Sequence, residues 1–346
     1  MTDEKQENNE VSGKNQMKEL DEYIMKSAEE VRVLIGHKLN HSHPKSLYNA
    51  TRYLPLLKGK RLRPIMCMLV ASAFGGDIKK AREFGTALEL VHNFTLVHDD
   101  IMDDDDLRRG KPTVHVKYDE ATAINAGDAL FAKAFEVLST LDLPPKKVVS
   151  LVNEVAVMSR WIVEGQQLDV RFESRKRVTQ AEYLEMIELK TAVMFQIAAK
   201  GGAIISDCNR ETVEAMAEFG KTVGIGFQVW DDVLDVTGNQ KKIGKPVGSD
   251  IRKGKHTTMV IRAMNNGTDK QLKVLDKVFG KGEEAAQEDV DAAIGILQEI
   301  GSVDMAKEMA TDFADRAKDI LRLKVPDCKY RDMLYTLVDY MVVRDK

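Results

Sequence analysis

Apolar residues recur at intervals of three and four along most of the chain. Leu20, Tyr23 and Ile24 form one such stripe, and Val148, Leu151, Val152 and Val155 form another. That spacing turns one face of a helix to a core and leaves the rest in water. Strict alternation, the mark of a half-buried strand, is nearly absent. The one Asn-Gly pair, Asn266-Gly267, sits in a polar break and not between β-branched runs. The pattern predicts an all-α chain of ten or more helices.

The breaks follow from turn chemistry. Met1–Gln16 reads as a polar tail, and Asn40–Leu47, with Pro44, separates the first two helices. Gly75-Gly76-Asp77 closes one helix and offers an N-cap to the next. Arg108–Thr113 is a Gly/Pro loop, Leu143-Pro144-Pro145 opens another helix, and Gly238–Gly254 is a basic, Gly-rich loop. Asn265–Asp269 and Gly280–Glu283 punctuate the C-terminal third. None of these breaks is long enough to divide the chain. The expected organisation is therefore a flexible tail over 1–16 and a single domain over 17–346.

Composition narrows the class. Few prolines (8) and 6% aromatics accompany abundant Ala, Leu, Met, Glu and Lys, which are helix formers. Lys+Arg is 51 against Asp+Glu 55, so there is no basic excess for binding nucleic acid. The longest apolar stretch, Ile65 to Phe74, is about half of the ~20 residues that span a bilayer. The N-terminus has no apolar signal region. Three scattered cysteines, Cys67, Cys208 and Cys328, fit a reducing compartment. The expected location is the cytoplasm.

The chemistry concentrates in two acidic runs. The first places six aspartates within residues 99–106, at the C-terminal end of a helix that carries Phe84, Ala87, Leu88, Val91 and Leu96. This is the end where backbone carbonyls already concentrate negative charge. Asp99 and Asp103 are i,i+4 neighbours, and at an effective dielectric near 20 two such carboxylates repel by roughly 2–3 kcal/mol. A solvated acidic helix end would tolerate one such pair; six aspartates call for a cation. Hard divalent ions prefer oxygen ligands, and magnesium is the usual one where phosphates share the site. The EF-hand spacing is absent. Arg108, Arg109 and Lys111 follow at once, as a polyphosphate site requires.

The second run, Asp231-Asp232-Val-Leu-Asp235, repeats the spacing. At about 100° per residue, Gln228, Asp231 and Asp235 share one helix face. A lysine-rich loop from Lys241 to Lys255 follows. It lacks the P-loop pattern and the strand that would precede one. A single such run is a weak signal; two, each trailed by basic residues in one all-α chain, are not.

With these motifs the chain resembles the trans-isoprenyl diphosphate synthases, or polyprenyl synthetases, of the short-chain archaeal or bacterial type. The resemblance rests on Gly59-Lys-Arg-Leu-Arg-Pro64, the two Asp-rich runs, Leu107-Arg-Arg-Gly-Lys-Pro112, Glu164-Gly-Gln-Gln-Leu-Asp169, Lys190-Thr191 and the lysine-rich loop. It implies an all-α bundle around a central substrate cavity, the isoprenoid synthase fold, with the two Asp-rich helices facing across its mouth, and a homodimer. It implies two or three magnesium ions held by Asp99, Asp103 and Asp231, with Asp100, Asp232 and Asp235 in outer or water-mediated roles. Arg108, Lys190, Lys245 and Lys255 would hold an allylic diphosphate; Lys60, Arg63, His92 and Arg109 would hold isopentenyl diphosphate. Thr191, Gln228, Gln166 and Asp169 would line the reaction centre. Independently of the resemblance, His92 lies about 20° from Asp99 on the helical wheel. His98 faces elsewhere and reads as structural.

The implied reaction needs no Ser, Cys or His nucleophile, and no triad pattern is present. A terpene cyclase on the same fold would commonly replace the second Asp-rich run, which is intact here. A non-catalytic subunit would lose one run, and neither is lost. In the family, the fourth and fifth residues before the first cluster set product length; here they are Thr95 and Phe94. One aromatic resembles the geranylgeranyl pattern, with farnesyl diphosphate, as sole product or co-product, the alternative.

Overall fold

The computed structural model describes residues 2–238 and 247–342. Helices dominate, as the apolar periodicity requires. The first, α1, runs Thr2–Lys38 and so takes in residues 2–16, the segment read from sequence as a tail. Its burial begins at Leu20 and continues through Ile24, Val31 and Ile35, a stripe of one side chain every one or two turns.

The chain divides into two compact units. One comprises Met1–Val157, Met194–Glu218 and Ile320–Leu337. Its central helix is α3 (Leu62–Ala73), where every side chain from Ile65 to Ala71 is buried. A helix apolar all round must be enclosed on all sides, and this explains the longest apolar stretch of the sequence. α2 (Lys45–Tyr53) precedes it, and α4 (Ile78–Met102) packs along it. The predicted cap is present: the Asp77 side chain accepts hydrogen bonds from the N–H groups of Lys79 and Lys80. A short α5 (Val114–Lys117) leads into α6 (Glu120–Ser139), which packs on α4.

Between α4 and α5 the expected loop closes into a minimal hairpin, Leu107–Arg108 paired with Lys111–Pro112. Arg109 (φ 54°) and Gly110 (φ 69°) form its turn. Positive φ at both central residues suits the right-handed twist of a two-residue hairpin. Two-residue strands are too short to show alternation, so periodicity could not reveal them.

The other unit comprises Met158–Val193, Phe219–Asp319 and Val338–Lys346. It holds the C-terminal part of α7 (Pro145–Glu173), then α8 (Gln180–Ile187), started by a Thr179/Glu182 capping box. A single π-helical turn, Glu188–Ala192, leads into α9 (Val193–Ile205). The end of α10 (Arg210–Thr237) carries the second acidic run. The expected loop Gly238–Gly254 contains a short helix, α11 (Ser249–Lys253). α12 (Thr258–Asn266), α13 (Asp269–Leu275), α14 (Gln287–Glu299), α15 (Ser302–Lys324) and α16 (Lys329–Val342) complete the chain. Among the described residues no helix is long and apolar enough to cross a membrane.

Candidate active site

In the first unit, α4 ends at the acidic run, as the sequence indicates. Asp103 is its C-cap, and the Asp103 N–H donates to the Asp99 carbonyl at 2.8 Å. Asp99 and Asp103 therefore remain one turn apart, both partly exposed. Asp100 points the other way and is 1% exposed. One of its oxygens accepts from Arg108 Nε at 2.5 Å, while Oδ2 is buried with no hydrogen-bond partner. Burial pushes the Asp100 carboxyl up to about 6, against the opposing pull of Arg108. Arg108 also lies 3.6 Å from Asp105. The hairpin thus returns Arg108 to the helix end that carries the aspartates.

Beside this lies a cationic group. Arg63 Nη1 is 3.3 Å from His92 Nε2, and its guanidinium stacks 4.6 Å from the Phe195 ring centre. A guanidinium only donates, so His92 Nε2 accepts and the ring proton sits on Nδ1. Burial and then Arg63 and Arg109 hold His92 well below its usual range. The fixed positive charges in this group are the arginines. Arg109 packs against Gly59, where a Cβ would lie 3.1 Å from its guanidinium. Like charges held together by the fold make a ready site for an anion.

Phe94 and Thr95 occupy the preceding turn of α4. The Phe94 ring lies 4.8 Å from His98 and 4.9 Å from Phe131 of α6, and Phe131 lies 5.1 Å from Phe135. Thr95 Oγ1 donates to the His92 carbonyl at 2.8 Å. His98 packs its ring over Gly127 and contacts the Ile124 carbonyl at 3.2 Å.

The second unit builds a cavity of about 110 Å³. Asp169, Lys190, Thr191, Gln228, Asp232 and Lys255 contribute its polar wall, and Phe172, Met186 and Ile187 its apolar part. Lys190 Nζ is 2.5 Å from Asp169, and Lys255 Nζ is 3.9 Å from the same oxygen. Burial raises the Asp169 carboxyl, but Lys190 and Lys255 outweigh it and hold the group below its usual range. Thr191 Oγ1 donates to Gln228 Oε1 at 3.0 Å, and Gln228 Nε2 donates to Asp232 at 2.9 Å. Gln166 is buried on α7, one turn before Asp169.

The three aspartates of this run have different settings. Asp231 is partly exposed. Asp232 is buried and also accepts from Tyr183 OH at 2.6 Å. Burial and Asp250 push its carboxyl well up, against Tyr183 and Gln228. Asp235 accepts from Ser249 Oγ at 2.8 Å and from the Asp250 N–H at 3.1 Å, tying α11 to α10. Lys245 lies outside the described residues.

The π turn explains how a mid-helix Lys190-Thr191 pair reaches this cavity. It inserts an extra residue per turn and re-aims the side chains that follow. Two glycines make room for it. A Cβ on Gly165 would lie 2.4 Å from the Lys190 nitrogen, and one on Gly224 would lie 2.7 Å from Ala192 Cα. The neighbours of these two glycines are not legible in the sequence, and neither are the places of Tyr183, Asp250 and His256 in the cavity wall. His256 is buried against Phe279. Tyr183 looks in the sequence like one more apolar-face aromatic, and its partner Asp232 is far along the chain.

No three Asp, Glu, His or Cys side chains among the described residues converge into a ready ion cage. A divalent ion can instead be held by one or two carboxylates together with substrate phosphates, rarely by an all-protein cage. Asp99 and Asp103 in the first unit, and Asp231 in the second, are partly exposed carboxylates of that chemistry.

An all-α chain with two Asp-x-x-Asp carboxylate sets, each beside cationic side chains suited to phosphate, belongs to the polyprenyl synthetase family, whose family model matches residues 44–297. Among its relatives, geranylgeranyl diphosphate synthase of Methanosarcina mazei is 45% identical over 93% of this chain and 97% of its own length. Geranylfarnesyl diphosphate synthase of Natronomonas pharaonis is 38% identical over 93% and 96%. The crystal structure of geranylgeranyl pyrophosphate synthetase from Pyrococcus horikoshii matches with a TM-score of 0.89 and 42% identity, covering 95% of this chain and 99% of that one.

Proposed function

We propose that the chain is a trans-prenyltransferase that joins isopentenyl diphosphate to an allylic diphosphate and makes geranylgeranyl diphosphate. The carrying observation is that α4 bears the Asp99/Asp103 carboxylate end and, two turns earlier, His92 against Arg63. Family membership and the names of the relatives support the same reading.

In this reading the allylic C–O bond breaks and its electron pair leaves with the diphosphate. The isopentenyl double bond attacks the allylic cation, and a proton passes to the departing diphosphate. Magnesium at Asp99, Asp103 and Asp231 supplies charge stabilisation for the leaving oxygens when bound. Arg108, Lys190, Lys245 and Lys255 hold the allylic diphosphate, and Lys60, Arg63, His92 and Arg109 the isopentenyl diphosphate. Thr191 and Gln228, fixed by their mutual hydrogen bond, present oriented dipoles to the cation. Apolar walls exclude the water that would quench it. Asp100, Asp232 and Asp235, each engaged by neighbouring groups, orient the ligating carboxylates.

Phe94 and Thr95 set chain length in this reading. The small Thr95 leaves the upper channel open and Phe94 flanks it. Phe94→Ala then lengthens the product, and Thr95→Phe shortens it toward farnesyl diphosphate. The chain acts as a cytoplasmic homodimer with one catalytic domain over 17–346.

The test is incubation with labelled isopentenyl diphosphate, magnesium and each allylic primer, with product length read by chromatography. A twenty-carbon product is expected. Absence of any condensation product would overturn the assignment, and a dominant product of another length would overturn the chain-length reading.

A further inference from the structure

Between Lys60 and Arg63 lies an arginine that faces away from solvent. Arg61 caps α3 from the left-handed region (φ 51°), where a side chain other than glycine is uncommon. Its guanidinium is buried and uses three acceptors. Nη1 donates to Glu89 Oε1 at 2.6 Å, and Nη2 donates to the carbonyls of Pro55 and Leu57 at 2.5 and 2.8 Å. The ion-pair side chains are 1% and 2% exposed. Glu89 is itself held by Asn93 Nδ2 at 3.2 Å, on the turn of α4 that also carries His92.

We propose that the buried Arg61–Glu89 pair is a positioning device for the isopentenyl diphosphate site, fixing the turn that presents Lys60 and Arg63 against the helix that presents His92. This rests on the assignment of those three residues to that substrate. One fork folds residues 55–61 back on themselves and ties them to α4. Both ends of the link abut proposed binding residues without being among them. The carbonyls that accept from Arg61 lie in the very turn that carries Lys60. Buried ion pairs are often replaceable by apolar residues at no cost in stability, so an effect on one substrate separates positioning from folding.

The experiment uses the full chain with magnesium. Glu89→Gln, Arg61→Lys and the apolar double variant R61M/E89L are compared with the parent for kcat, for KM toward each substrate and for melting temperature. Loss of hydrogen bonds to a charged group corresponds to about tenfold or more in affinity. The KM for isopentenyl diphosphate should rise about tenfold or more, with the KM for the allylic diphosphate within about twofold. The double variant should show this split even when its melting temperature is restored. If it melts like the parent and keeps both KM values, or if both rise together in all three variants, the proposal is overturned. A parent chain with no condensation activity would instead overturn the functional assignment, and the two failures are distinct.

Discussion

At the scale of single residues, the two acidic runs divide their labour by burial. Asp99, Asp103 and Asp231 keep partial access to solvent, whereas Asp100 and Asp232 are buried. In the proposed function the partly exposed members hold the ion. Asp99→Ala or Asp231→Ala should therefore lower turnover by at least about 100-fold, the scale of a lost electrostatic contact at a reacting centre. A chelator should abolish activity and magnesium restore it. Near-parent steady-state rates in both variants would refute the assignment. Asp169 makes a pH-dependent contribution. Its folded-state pKa is below the usual value near 4, so the folded chain binds fewer protons there than the unfolded chain. The stabilisation is present above that range and is lost as pH falls through the folded value. Asp169→Asn should lower stability at pH 7 by about 1–2 kcal/mol, less than for a fully buried pair, since it leaves the partly buried Lys190 without its carboxylate partner. Melting curves should show the gap between parent and variant closing as pH falls below the usual carboxylate range; a gap independent of pH would contradict this.

At the scale of elements, local chemistry and tertiary fit can be told apart. The Asp77 cap and the end of α4 at the acidic run were legible, because each is written within a few neighbouring residues. The π turn was not, because an α-helix and a π turn share the same apolar stripe over so few residues. What selects the π turn is the close approach of Gly165 and Gly224 from other helices. Gly165→Ala should push Lys190 off its position, costing about 1–3 kcal/mol in stability as overpacking does. The Lys190–Asp169 contact should weaken with it, raising the KM for the allylic substrate. Unchanged melting temperature and unchanged KM would show that the turn does not need the glycine.

At the scale of the whole molecule, the reaction needs separate cationic holds for two diphosphates. Lys60 and Arg109 belong to one compact unit and Lys190 to the other. Arg109→Ala or Lys60→Ala should chiefly weaken isopentenyl diphosphate, and Lys190→Ala chiefly the allylic substrate. Separate titrations of each substrate read this; equal changes in all three variants would reject the partition. The sequence by itself determined the helical class and the two carboxylate runs with their basic sequels. Those depend on periodicity, local repulsion and near-neighbour charge, which act over a few residues. Tertiary structure alone decided that Asp232 meets Tyr183, that Arg61 turns inward to Glu89 and that a π turn presents Lys190 and Thr191. It also decided that burial and Arg63 hold His92 well below its usual range, because a pKa reports burial and charges brought together from distant parts of the chain. Neither quantity is a property of any short stretch of sequence.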